Sequence, residues 1–356
     1  MTSEVADPSV PTRTAPVMLG PNRPAARPYR GGEGILRFRG LQDNQDAAAE
    51  RMPEDFVASA TEVFAGGGVG LTVLPDGTSL RDDFAAHPVD YFGEKHVRAF
   101  GADPKLLVKL LDTRERLFVH YHPSDSFARD RLAHASGKTE AWIVVATDGV
   151  GHAYLGFDRD VSHDELLGWF ERQDVPAMLA TMNRVELRPG DTLHVPAGMP
   201  HAIGPGVTLV ELQQPVDLSI LVEYDGYPGL DRDAALLGLD AATALSDVNR
   251  SAVSEDRLIE LRSSRITRLL GETEFTDLFP AEADAVFRAQ RVSIHGSFAF
   301  AAGYCVLVVL EGEGVLEWDD GAIVLSKGET VLVPYAAGDL TLRGTLTVLR
   351  CLPPVA

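Results

Sequence analysis

The 356-residue chain is 45% apolar and 24% charged, enough apolar material for two packed cores and far from the low-hydrophobicity signature of disorder. Its 32 basic and 52 acidic residues leave a formal net charge of −20, which repels polyanions over the whole surface and excludes nucleic acid and anionic membrane as partners. Cys305 and Cys351 form no disulfide framework or C-x-x-C knuckle, and no stretch approaches the roughly 18 apolar residues of a membrane span, so a soluble protein of the reducing cytoplasm is expected.

Residues 1–28 carry six prolines and no apolar core of the kind a signal peptide needs; they read as a disordered, solvated arm. Short apolar runs punctuated by Gly, Pro and Asp follow at 34–38, 70–74, 106–111, 117–121, 141–146 and 152–156, and predict strands. Ser162-His-Asp-Glu165 is a capping box opening a helical insert over about 162–183. Strand signals return at 184–187, 192–195 and 207–213 and close a first barrel spanning 29–225. Apolar spacings of three and four then predict a helical layer over 226–285. From 286 to 356 the strand pattern resumes (298–301, 306–310, 314–318, 322–325, 330–333 and from 340), with hairpin chemistry at 311–314, 319–321 and 327–329. No His follows His295, so this second, smaller barrel is expected to be metal-free. The fold class is mainly β, a double jelly-roll barrel with a helical insert and a helical layer.

In Phe118-Val-His-Tyr-His-Pro123 two histidines lie two apart in a strand, so their side chains leave the same face and can converge on one ion. Gly137-Lys-Thr-Glu140 places a carboxylate at a strand start. Arg188-Pro-Gly-Asp-Thr-Leu-His-Val-Pro-Ala-Gly-Met-Pro-His201 presents a third imidazole after a Pro/Gly-rich bend, and adjacent barrel strands bring such distant groups into one lumen. His120, His122, Glu140 and His201 together would hold one divalent ion and leave room for a substrate oxygen; this donor set accepts Zn, Mn, Fe, Co or Ni. Glu211, inside an apolar strand, is costly to bury without a partner. If residues 204–206 form a three-residue hairpin loop, His201 and Glu211 share a face; with a two-residue loop they do not. Lys109 also lies in an apolar strand, where a lysine ordinarily snorkels its head to solvent, and Lys138 adjoins Glu140.

Leu107-Val-Lys-Leu-Leu-Asp112, Leu117-Phe-Val-His-Tyr-His-Pro123, Gly137-Lys-Thr-Glu140, Val195-Pro-Ala-Gly-Met-Pro-His201 and Val210-Glu-Leu-Gln-Gln214 together resemble the type I phosphomannose isomerases of the cupin superfamily, as do Tyr29-Arg-Gly-Gly32 and Pro53-Glu-Asp-Phe-Val-Ala-Ser59. The resemblance runs from about residue 27 to the end. It implies a double cupin barrel and a zinc-dependent, cytoplasmic mannose-6-phosphate isomerase with His120, His122, Glu140 and His201 as ligands. Glu211 falls at the proton-transfer carboxylate, and Lys109 and Lys138 at two active-site lysines; Glu211 and Lys138 are read as catalytic and Lys109 as substrate-binding. Moving a proton between adjacent sugar carbons needs a base, and the enediolate oxygen needs an electrophile; Glu211 and the ion fill those roles.

The sequence departs from the family at three places. His120 stands where the family usually has Gln, Phe118 replaces a small hydroxyl residue near the substrate phosphate, and Leu221 replaces an active-site arginine, a fork-shaped donor that Leu cannot imitate. These leave three readings: an isomerase of mannose 6-phosphate and fructose 6-phosphate, a related enzyme acting on an unphosphorylated sugar, and a non-catalytic sugar-sensing barrel. The retained Lys109, Lys138 and Glu211 favour an enzyme. A compensating arginine is sought among Arg257, Arg262 and Arg265.

Overall fold

The computed structural model describes residues 13–25, 27–42 and 50–356. In chain order its strands are β1 (Val17–Leu19), β2 (Glu54–Val57), β3 (Leu107–Thr113), β4 (His120–Tyr121), β5 (Glu140–Thr147), β6 (Gly151–Phe157), β7 (Met182–Leu187), β8 (Thr192–Val195), β9 (His201–Ile203), β10 (Val207–Gln213), β11 (Ile220–Leu221), β12 (Ile266–Leu270), β13 (Thr273–Leu278), β14 (Arg288–Phe300), β15 (Cys305–Trp318), β16 (Gly321–Ser326), β17 (Thr330–Val333) and β18 (Leu340–Leu352). The sheets β2-β3-β10-β5-β8 and β11-β4-β9-β6-β7 face each other as the first barrel, and β1-β17-β15-β18-β14-β13-β12, with β16 beside β15, makes the second. The architecture is mainly β and antiparallel, as expected.

Strands β3 and β10 are buried along their whole length because each serves two cores. Alternation sends Lys109, Leu111, Leu209 and Glu211 into the first barrel's lumen. It sends Val108, Leu110, Val210 and Leu212 into a core shared with Val306, Leu332, Leu349 and Cys351 of the second barrel. This is why both strands read as near-continuous apolar runs. Each fully buried Val or Leu contributes roughly 1.5–3 kcal/mol, so the shared core holds the sheet that carries Lys109, Glu140 and Glu211 against a rigid support.

Several elements differ from the sequence reading. Residues 34–38 lie in a helix, Glu33–Arg39, whose first turn is anchored by Asp112: its buried carboxylate accepts from the N–H of Gly32 (2.6 Å) and Gly34 (3.0 Å). Residues 70–74 make only an isolated bridge between Val73 and Ser79. Helices Leu80–Ala86, Pro88–Phe100 and Asp125–Leu132 stand where no helix was expected; the second begins on a proline at its first turn, and Ser124 caps the third by accepting from Phe127 N–H. The insert forms as expected, His163–Arg172 capped by Ser162 and then Val175–Ala180.

The helical layer ends before 285, since β12 and β13 pair with each other and with β14. Residues 311–314 are not a turn but the middle of β15. The ladder shifts between Val309 and Glu311, and Gly312 takes φ 77°, where a Cβ would lie 2.1 Å from the Thr345 carbonyl oxygen. Of the arm read over 1–28, residues 1–12 and 26 lie outside the described residues. The described part is tied to the fold: Arg13 binds Asp83 at 2.9 Å, and β1 pairs with β17 through Val17 and Leu332.

Candidate metal centre

His120 on β4 is the direct cross-strand partner of His201 on β9, and His122 follows two residues on, so all three imidazoles project from one sheet. Their ring centroids lie 4.1–5.0 Å apart, and their ligand nitrogens lie within 4.8 Å of one another. Each Nδ1 faces a backbone carbonyl: Phe118 at 3.0 Å from His120, Leu218 at 2.8 Å from His122 and Met199 at 2.8 Å from His201. A carbonyl only accepts, so the proton sits on Nδ1 and the Nε2 lone pair is free for a cation. Burial, reinforced by His201, holds His120 well below the usual histidine range, and burial with the charge of Lys138 lowers His122 to about 3. Neutral imidazole is the form that ligates.

The opposite sheet supplies Glu140 at the start of β5. Its Oε2 lies 2.8 Å from His122 Nε2 and its Oε1 3.2 Å from His201 Nε2. Lone pairs therefore face lone pairs: among the described residues, His122 Nε2, His201 Nε2 and Glu140 Oε2 are buried without a hydrogen-bond partner. A cation between them removes that conflict, and the residues present fit a divalent ion. Burial opposes charge on Glu140, yet Lys138, 2.9 Å away, and His122 keep it well below the usual carboxylate range. Trp142 Nε1 donates to its Oε1 at 2.9 Å, fixing the carboxylate as outer hydrogen bonds fix metal ligands.

Glu211 on β10 is buried opposite Lys109 on β3 and Trp142 on β5. Burial and then the neighbouring charge of Glu140 push its carboxyl up to about 8, with Lys138 and Lys109 pulling the other way. Neither loop-length alternative for 204–206 applies. Strands β9 and β10 belong to different sheets, so those residues turn a corner, and His201 and Glu211 face the lumen from opposite sides.

The raised Glu211 value predicts a pH effect on the metal-free protein. Since 8 lies above the ordinary 4.5, the fold favours the protonated group; this stabilisation is complete below the unfolded value and is lost as pH rises through the folded one. Metal-free Glu211→Gln, permanently neutral, should melt at the same temperature as its parent near about pH 4 and higher than its parent at about pH 9. Equal melting at the higher pH would contradict the assignment.

Lys109 does not snorkel. Its Nζ lies 3.2 Å from Asp217 and 3.6 Å from Glu54, and 4.4 Å above the Phe56 ring. Arg27 closes the network at 3.0 Å from Glu54 and 3.6 Å from Asp217, and Tyr29 donates to Glu54 at 2.6 Å. Burial opposes these charges, but the opposing pairs hold Asp217 and Glu54 below and Lys109 and Arg27 above their ordinary ranges. Sequence reasoning missed Arg27, Tyr29, Glu54 and Asp217; the signal for partners was Lys109 itself, a charge in a strand with no exposed face. Leu221 pairs with His120 and packs in one core with Phe118 and Tyr227. The proposed compensating arginines lie elsewhere: Arg257 binds Glu282, Arg262 lies 3.6 Å from Asp191 and Arg265 binds Asp284. His194 is buried against Glu282, outside the centre. No metal-ligating cluster occurs in the second barrel among the described residues.

Residues 278–353 match the family described as "Mannose-6-phosphate isomerase, cupin domain". The mannose-6-phosphate isomerase ManA of Bacillus subtilis is 28% identical over 241 residues, 67% of this chain and 72% of that protein. The enzyme of Streptococcus mutans is 25% identical over 78% of this chain and 85% of its own. Among solved structures, the mannose 6-phosphate isomerase of Bacillus subtilis superposes with a TM-score of 0.70 at 22% identity, covering 95% of this chain and 99% of that one. A mannose 6-phosphate isomerase bound with zinc and yttrium superposes with a TM-score of 0.69 at 16% identity over 95% and 99%. The matched second barrel and the relatives along most of the chain make it similar to mannose-6-phosphate isomerases, and the solved structures share its fold.

Proposed function

We propose that the protein is a metal-dependent aldose–ketose isomerase interconverting mannose 6-phosphate and fructose 6-phosphate, with one divalent ion, zinc, held by His120, His122, Glu140 and His201. The observation that carries this reading is the pair of buried Nε2 atoms of His122 and His201, without hydrogen-bond partners, facing the Glu140 carboxylate, with His120 in the same cluster and Glu211 beside Glu140. When bound, the ion supplies an electrophile for substrate oxygens as negative charge develops. Glu211 is the base that removes the proton from the carbon next to the carbonyl and returns it to the neighbouring carbon through an enediolate; a carboxyl raised toward neutrality suits both directions of transfer. Lys138 directs a positive charge at the same oxygens, and Lys109, fixed by Asp217 and Glu54, binds substrate hydroxyls. Trp142, Val144, Leu111 and Leu209 pack in one core below and keep water from the reacting carbons.

We place the enzyme in the cytoplasm, where buried free thiols such as Cys305 and Cys351 persist; among the described residues no helix is long and apolar enough to cross a membrane. The test is the reaction run in deuterium oxide. Fructose 6-phosphate formed from mannose 6-phosphate should carry solvent deuterium at C1. Ketose formed with none would mean that the proton is returned before it exchanges or that hydride moves; ketose formed as fast by Glu211→Gln would remove Glu211 from its role, and no ketose would refute the isomerase.

A further inference from the structure

Arg27 reaches Lys109 from a segment whose path is fixed by both barrels. β1 pairs with β17 of the second barrel, and Thr330 donates to the Leu19 carbonyl at 3.2 Å. Asn22 then seats against β2, its N–H donating to Asp55 at 2.8 Å and its Nδ2 to the Gly70 carbonyl at 2.9 Å. The Arg27 N–H donates to the Arg51 carbonyl at 3.1 Å. From there the guanidinium lies 3.0 Å from Glu54 and 3.6 Å from Asp217, the two buried carboxylates that also lie 3.6 and 3.2 Å from Lys109. Two cations balance two anions. Lys109 donates to Asp217, whereas Glu54 Oε2, the oxygen nearest Lys109, is buried without a hydrogen-bond partner.

An ammonium carries three protons to donate, and Arg27 decides how many of those on Lys109 remain for a substrate. Without Arg27, Glu54 and Asp217 would depend on Lys109 alone. The ammonium would be drawn onto the idle Glu54 Oε2, and the cluster would keep one uncompensated negative charge in a buried setting that salt screens poorly. A sugar phosphate entering the lumen would meet that charge and a lysine already engaged. Resting on the isomerase reading, in which Lys109 binds substrate, we propose that Arg27 is a positioning residue: it neutralises Glu54 and Asp217 and so leaves donors of Lys109 free for an anionic sugar.

The test measures KM and kcat for mannose 6-phosphate with the metal-loaded full chain, its Arg27→Gln variant and the double variant Arg27→Gln, Glu54→Gln. Arg27→Gln should raise KM by about tenfold or more, the order of one lost charge-assisted contact, with kcat within about threefold of the parent. The double variant also removes the stranded carboxylate. It leaves Lys109 paired with Asp217 and lets Tyr29 donate to the new amide oxygen, so KM should return to within about threefold of the parent. A second substitution repairs a charge imbalance but not a loss of packing, which separates positioning from a merely structural role. Unchanged KM in Arg27→Gln, a kcat that falls as far as KM rises, or a double variant with KM no lower than the single one overturns the proposal and leaves the isomerase intact. No ketose from the parent overturns the isomerase reading and the proposal with it. Should Arg27→Gln alone not fold by circular dichroism, the double variant decides: KM more than about threefold above the parent overturns the proposal.

Discussion

Glu211→Gln should lower turnover by at least roughly 100-fold while metal content stays near that of the parent. The substitution keeps the side chain's shape and a hydrogen-bonding group but removes the basic carboxylate. Glu211 is set in β10, packed between β3 and β5, so the amide has no room to swing away. It neighbours Glu140, whose charge helps raise its carboxyl. Parallel measurement of turnover and elemental content checks this. Metal lost together with activity would make Glu211 a ligand, and unchanged turnover on a sugar the parent isomerises would make it structural.

His201→Ala should abolish most metal retention, from about one equivalent per chain to a small fraction of one, and turnover should fall with it. Two features make this position decisive. His201 is fully buried, so no surface residue can substitute, and its Nδ1 is pinned to the Met199 carbonyl, which aims Nε2 at Glu140. The void left by the ring also takes away the packing partner of Trp142, whose ring lies 5.6 Å away. Circular dichroism on the variant separates metal loss in a folded barrel from unfolding. Full metal occupancy in folded His201→Ala would exclude it as a ligand.

The parts of this site that are local in the chain were legible in the sequence. His120 and His122 announce a shared face by their spacing alone, and the bend over 196–200 before His201 marks a strand start. The contacts that complete the lumen have no such pattern. Arg27, Glu54 and Asp217, the partners of Lys109, come from an N-terminal segment, β2 and the loop before β11, and only the closed barrel brings them to β3; each looks in the sequence like an ordinary surface charge. The error at 204–206 has a related cause. Gly-Pro-Gly between two apolar runs is hairpin chemistry, but a jelly roll uses the same residues to pass from one sheet to the other, and local sequence does not distinguish the two. Residues 34–38 were misread because Ile35, Leu36 and Phe38 suit a strand as well as a helix, and the choice is made by Asp112, a distant carboxylate that accepts from the first turn. Strands β12 and β13 were hidden by leucines and charges whose spacing continues that of the preceding helix Glu255–Leu261.

Isomerisation should depend on an ion held by the buried histidines and Glu140. The most direct measurement is mannose 6-phosphate turnover by protein stripped with chelator until elemental analysis finds no transition metal, then titrated with zinc. Turnover should be absent in the stripped protein and return in proportion to added zinc, reaching a plateau at about one equivalent per chain. Full turnover by the stripped protein, with its fold intact by circular dichroism, would contradict the account.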